Sequence, residues 1–92
     1  MCVASSVKLL EEFGPALSRP HADTLNGSRF ANMMELRVSA KRLAIRIAFA
    51  FDPDRQAVLL VAGDKRGVSQ RRFYRWLIAQ ADTLYADHLA AR

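Results

Sequence analysis

The spacing of hydrophobic positions changes twice along the chain. Val3, Val7, Leu10 and Phe13 recur at helical intervals, with Ser5, Lys8, Glu11 and Glu12 mostly elsewhere. This predicts a short amphipathic helix stopped by Gly14-Pro15. Between Ala16 and Asn32 no period holds, and Pro20, Asn26, Gly27 and Ser28 mark a connecting loop with room for one helical turn.

Period two then takes over. Leu36, Val38 and Ala40 alternate with Glu35, Arg37 and Ser39, the pattern of a strand with one apolar face. Lys41-Arg42 is a turn. In the next strand Leu43, Ile45, Ile47, Phe49 and Phe51 make one large apolar face, and Ala44, Arg46, Ala48 and Ala50 make the other. Asp52-Pro53-Asp54-Arg55 is a second turn, because proline fixes its backbone angle and both Asp side chains can close Asx-type bonds. Ala57 to Ala62 is apolar on both faces, as a central strand covered on both sides would be. Gly63-Asp64-Lys65-Arg66-Gly67 ends it in a polar loop.

Ser69 is placed to cap a long final helix reaching about Leu89. Phe73, Tyr74, Leu77, Ile78, Ala81, Leu84 and Tyr85 fall within one arc of it, a core-facing stripe. Trp76 lies outside that arc, beside Arg72, either as a partner contact or packed under a neighbouring loop. The expected fold is α+β: an N-terminal helix, an antiparallel meander of three strands or slightly more, and a long C-terminal helix. All of it forms one domain over residues 1–92.

Charge sharpens this picture. Lys and Arg number 14 against 9 Asp and Glu, a net charge of +5. Ten of the cations lie between Arg37 and Arg75 (Arg37, Lys41, Arg42, Arg46, Arg55, Lys65, Arg66, Arg71, Arg72 and Arg75), among only three acids, Asp52, Asp54 and Asp64. A field so concentrated suits a polyanion. No basic amphipathic helix with a Trp/Leu face points to a membrane surface, and the longest apolar run, Ala57 to Ala62, is too short to span one. A single cysteine, Cys2, and the lack of a positive leader before a long apolar run predict a soluble cytoplasmic protein.

Two features exceed the needs of folding. Arg46 stands mid-strand among small alanines, with no obvious acidic partner one strand away. It is either a functional cation on a shallow open face or an arginine snorkelling to a nearby carboxylate. Arg71, Arg72 and Arg75 crowd the first two turns of the last helix, where the helix dipole already carries positive charge. With Lys65 and Arg66 they make a phosphate site, or else they are simply tolerated on an exposed surface. The Gly63 to Gly67 loop lacks the spacing and the Lys-Ser/Thr ending of a nucleotide P-loop. His21 with Asp23, and Asp87 with His88, are too sparse for a metal site. Asp87-His88 belongs to an exposed last turn and is a minor candidate for acid–base work.

The ordered run of short segments resembles a known family. Glu35-Leu36-Arg37, the stretch Ile45 to Pro53 around Arg46, Gly63-Asp64-Lys65, Arg72-Phe73-Tyr74 and Ala81 to Leu89 are similar to the phage-derived, HigB-like branch of the RelE/ParE toxins. Pro20 to Leu25 and Gly27-Ser28-Arg29 fit the same pattern. The likeness extends over about residues 7 to 90.

That resemblance implies a RelE-like fold and an endoribonuclease that cuts mRNA on the ribosome, without metal or small-molecule cofactor. It further implies neutralisation by a cognate helix-turn-helix antitoxin. Arg46 matches the strand arginine at the scissile phosphate, Lys65 or Arg66 the cation after the third strand, and Tyr74 the tyrosine near the last helix start. Arg46, Lys65 and Tyr74 are the expected catalytic set, with Arg37, Lys41, Arg42, Arg66, Arg71, Arg72 and Arg75 binding RNA. Charge-rich transition states of 2′-hydroxyl attack suit guanidinium and ammonium groups. A tyrosine or lysine base would need a cationic neighbourhood to act near neutral pH. Family members begin with an extra strand and helix, so the resemblance implies a shortened copy. The alternatives are an inactive homologue that only binds its antitoxin, and a ParE-type gyrase inhibitor.

Overall fold

The computed structural model describes residues 22–92, and the helix expected from Val3 to Phe13 lies outside them, as does His21. Four strands precede one helix: β1 (Ala22–Thr24), β2 (Met33–Ala40), β3 (Leu43–Phe51), β4 (Ala57–Asp64) and α1 (Gln70–Ala90). The strands form one antiparallel sheet in the order β1-β2-β3-β4. The fold class is α+β as expected, with one strand more than the three read from the alternation. β1 is only three residues long, too short for a period to register.

Alternation in β2 and β3 places their residues as the sequence implies. Ala22, Leu36, Val38, Ile47 and Phe49 are buried in a cluster on one face of the sheet, with Met34, Ile45 and Phe51 packed against it. On the other face Met33, Ala48 and Ala50 meet Leu25 and the α1 residues Phe73, Leu77, Ala81 and Tyr85. The alanines of β3 let the helix approach closely on this side. Leu84, expected in the core stripe, is instead 40% exposed.

The reading of Ala57 to Ala62 as a central, doubly covered strand is corrected. β4 is the outermost described strand, and Ala57, Leu59 and Ala62 are exposed. A register shift leaves Leu60 without a direct partner, because Ala48 faces Val61 while Phe49 faces Leu59. This bulge lets consecutive residues Leu60 and Val61 both pack toward the helix. An unbroken apolar run here encodes a bulge.

Ser69 caps α1 as expected, its hydroxyl accepting from the Arg72 N–H at 3.1 Å. The loop after β1 docks onto the later part of the helix. Ser28 Oγ hydrogen-bonds Asp82, the Arg29 N–H donates to the same carboxylate at 3.1 Å, and Phe30 meets Tyr85 edge-on at 4.9 Å.

At the far end of α1, His88 corrects another expectation. It lies on the last turn as expected, but half-buried rather than exposed, 3.0 Å from Asp52 and stacked on Tyr85. Asp52 also accepts from the N–H groups of Asp54 and Gln56, at 2.9 and 3.0 Å. Of the two aspartates in this turn, Asp52 alone closes the Asx-type bond; Asp54 pairs with Arg92 at 2.9 Å. Arg55 completes the turn in the left-handed region, at φ 62°.

Candidate functional site

The helix-facing side of the sheet changes character along its length. Near the β3–β4 turn it carries Met33 and Ala50, which meet Tyr85 of α1. Toward the start of α1 it carries Glu35, Arg37 and Arg46, because Glu35 faces Ala48 and Arg37 faces Arg46 across the β2–β3 ladder. Arg46 in turn pairs with Gly63 of β4, and the Lys65 N–H bonds to the Ala44 carbonyl at 3.1 Å. By alternation Lys65 therefore shares the face of Arg46. The hairpin turn Lys41-Arg42 and the loop leading into α1 close this same end, so every cation of the basic stretch except Arg55 gathers there.

Glu35 is the hub. The Tyr74 hydroxyl donates to its Oε1 at 2.7 Å, while Arg46 Nε lies 3.5 Å and Arg37 Nε 3.7 Å from that same oxygen. Glu35 and Arg46 are only 5% and 8% exposed. The expectation that Arg46 lacks an acidic partner one strand away is thus corrected. Glu35 sits diagonally across on β2, opposite Ala48, whose small side chain leaves room for the pair. Arg46 also donates from Nη1 to the Ile45 carbonyl at 2.9 Å, and Arg37 from Nη2 to Asp23 at 3.4 Å.

The pairing leaves donors unused. Nε of both Arg37 and Arg46 is buried without a hydrogen bond, at ion-pair distance from Glu35 only. Beside Arg37 opens a cavity of about 290 Å³ lined by Asp23, Thr24, Leu25, Asn26, Glu35, Arg37, Gln70 and Tyr74, with Arg46 behind Glu35. Burial and the neighbouring Glu35 carboxylate push the Tyr74 phenol above its ordinary pKa of 10.0, against a smaller opposing effect of Arg46. Tyr74 is therefore a hydrogen-bond donor near neutral pH, and the cationic neighbourhood that would make it a base is cancelled by Glu35.

The remaining expected residues distribute as follows. Lys41, Arg42, Arg71, Arg72 and Arg75 are exposed, and the first turn of α1 holds no acid. Lys65 is half-buried. Arg66 closes onto Asp64 at 3.1 Å, so Lys65 is the less encumbered of the two cations after β4. The Arg66 N–H, the Ala44 N–H and the Arg66 guanidinium hold the Asp64 carboxyl below its usual pKa. Among the described residues no three His, Cys, Asp or Glu side chains cluster as metal ligands would, and no helix is long and apolar enough to cross a membrane.

Sequence reasoning passed over Glu35 as a site residue. Its signal was the polar face of β2, where Glu35 and Arg37 alternate with buried Leu36 and so share a layer with Arg46.

The family described as phage derived protein Gp49-like matches residues 3–86. Two proteins of Mycobacterium tuberculosis (strain ATCC 25618 / H37Rv) are similar along nearly the whole chain. "Putative toxin HigB2" is 48% identical over 92 residues, covering 96% of this chain and 44% of the relative. "Putative toxin HigB3" is 47% identical over 89 residues, covering 97% of this chain and 75% of the relative. The chain thus spans less than half of the first of these relatives. No solved structure matches. With the match extending from the third residue to the last turns of α1, the chain belongs to the phage-derived Gp49-like family, in its HigB-like branch.

Proposed function

We propose that this chain is the toxin of a toxin–antitoxin pair, an endoribonuclease that cuts mRNA on the ribosome and is neutralised by a cognate helix-turn-helix antitoxin. The observation that carries this reading is the convergence of Arg37, Arg46 and Tyr74 on one carboxylate oxygen beside an open cavity, at the end of the sheet where the cations collect. The names of the relatives support the toxin assignment.

In the reaction a ribose 2′-hydroxyl attacks the adjacent phosphorus and gives its proton to water, the bond from phosphorus to the 5′-oxygen breaks, and that oxygen departs with a proton from a protein donor. Charge builds on the non-bridging oxygens. Arg46 and Arg37 supply the planar N–H groups that stabilise it, and a phosphate oxygen entering the cavity competes with Glu35 Oε1 for them. Lys65 adds a cation on the same face. Tyr74, held in its neutral form, is suited to donate the proton to the departing oxygen. The exposed cations of the β2–β3 turn and the first turns of α1 hold the flanking backbone. Nothing in this set strongly activates the 2′-hydroxyl, so alignment of the substrate by the ribosome carries much of the rate enhancement, and free RNA is cut slowly.

The test is expression from a tightly controlled bacterial promoter with growth and mRNA 5′ ends followed together. Growth arrest with new ends inside translated codons, lost in Arg46→Lys, is the expected result. DNA damage with intact mRNA would replace this reading with gyrase inhibition. Normal growth with soluble protein that still binds the antitoxin would replace it with a binding module. Arg46→Lys is preferable to Arg46→Ala, since it keeps a buried charge opposite Glu35 while removing the guanidinium fork.

A further inference from the structure

The only tryptophan in the sequence has no part in the cluster above. Trp76 lies on the β4 side of α1, where a second cavity of about 380 Å³ is lined by Gly63, Asp64, Val68, Arg72, Phe73 and Trp76. Trp76 is 44% and Val68 49% exposed, so two apolar side chains stand in water beside the exposed guanidinium of Arg72. We propose that this cavity binds one unpaired nucleobase of single-stranded RNA, stacked on Trp76, with the adjoining backbone phosphate on Arg72. The identity of the ligand as RNA rests on the nuclease reading; the cavity and its chemistry do not.

The indole is braced for such a role. A Cβ on Gly63 would lie 2.9 Å from Trp76 Cζ3 and 3.0 Å from Phe73 Cε1, so the ring edge rests where a side chain would otherwise be. Phe73 supports it further, at 6.0 Å between centroids and a tilt of 51°. A ring fixed from behind and open in front loses little freedom when a base stacks on it. The cavity volume is at the small end of ligand clefts, roughly 300–1,000 Å³, which suits one base.

Polarity decides which part of the nucleotide enters. Asp64 at the rim is held ionised by the Arg66 and Ala44 N–H groups. Its Oδ2 accepts from both Nε and Nη2 of Arg66, at 3.2 and 3.1 Å, so the carboxylate is fixed at the rim. A carboxylate there repels phosphate, which is drawn to Arg72 on the solvent side. Position fits as well. Gly63 is the cross-strand partner of Arg46, and such Cα atoms lie about 4.5–5.5 Å apart, within reach of neighbouring nucleotides.

The single tryptophan makes the test direct. The full chain is titrated with a short 2′-O-methyl oligonucleotide, which cannot be cut, and with an abasic oligomer of the same phosphate number. Saturable quenching of Trp76 fluorescence by the first, and about tenfold weaker binding of the second without quenching, is expected. Trp76→Leu, which keeps apolar packing against Gly63, is expected to weaken binding of a labelled oligonucleotide about tenfold while its circular dichroism stays unchanged. Equal affinity for abasic and base-bearing oligomers, absence of quenching, or full-strength binding by Trp76→Leu overturns the proposal. Quenching in a protein that causes no growth arrest would sink the nuclease reading and leave the base site standing; arrest without quenching would do the reverse.

Discussion

The phenol of Tyr74 and the carboxylate of Glu35, from the first turns of α1 and the middle of β2, share a 2.7 Å hydrogen bond on the oxygen that two arginines also approach. Removing that carboxylate strands Arg46, whose side chain is 10% exposed. Glu35→Ala is expected to cost about 3–5 kcal/mol in urea unfolding, as breaking one partner of a buried pair does. A loss below about 1 kcal/mol would mean that Arg46 finds water or another acceptor.

Tyr74→Phe keeps the ring, which packs edge-on to Phe73 at 5.3 Å, and removes only the hydroxyl. Its stability cost should be about 1 kcal/mol, while mRNA cleavage falls far more. The phenolate signal of Tyr74, taken as the difference between wild type and Tyr74→Phe in an ultraviolet titration, should appear only above pH 10.0. Because the folded pKa is raised, the contribution of this group to stability is complete below the unfolded value and is lost as pH rises through the folded one. A phenolate signal near neutrality would restore tyrosine as the base.

Asp52 gives the opposite sign. The His88 hydrogen bond and the N–H groups of Gln56 and Asp54, acting against desolvation, hold its carboxyl below the ordinary 3.8. An unfolded chain then binds more protons in acid, so this contribution is present above pH 3.8 and disappears as pH falls through the lowered folded value. Asp64 acts in the same window. Urea midpoints should fall between pH 5 and pH 2.5, less so in Asp52→Asn; an unchanged pH dependence in that variant would remove Asp52 from the account.

Gly63→Ala places a methyl group 2.9 Å from the Trp76 ring and 3.0 Å from Phe73, one of which must move. Thermal unfolding should register a loss of about 1–3 kcal/mol, with a shift of the tryptophan emission maximum. An unshifted spectrum at full stability would show that the indole yields without cost.

The exposed cations of α1 should reveal themselves through salt. For single-stranded RNA each phosphate contact steepens the dependence of log affinity on log salt by about 0.7. Arg71→Gln and Arg75→Gln should each flatten the slope by up to that amount, with no change in unfolding midpoint. A slope identical to wild type would place RNA elsewhere.

Local patterns were legible in the sequence, and pairings between distant segments were harder to read. The two faces of β2 and β3, the Ser69 cap and the concentration of cations follow from neighbours a few residues apart. The partnership of Glu35 with Arg46 depends on the β2–β3 register, which alternation does not set, and that of Asp52 with His88 on how far α1 runs across the sheet. β4 misled because a bulge breaks its parity: Leu60 and Val61 both face the helix. Arg46 was singled out correctly as unusual among alanines, but its carboxylate partner could be found only in three dimensions.

The meander joins each strand to the next, so the strands can pair while the chain is still being made. The site cannot form that way. Glu35 lies on β2 and Tyr74 on α1, which follows all four strands. A nascent chain that has completed its sheet still has Arg46 and Glu35 without the phenol, the helix-start cations or the cavity wall of Gln70 and Tyr74. The phenol, the helix-start cations and the cavity wall therefore join Glu35 and Arg46 only when α1 docks on the finished sheet.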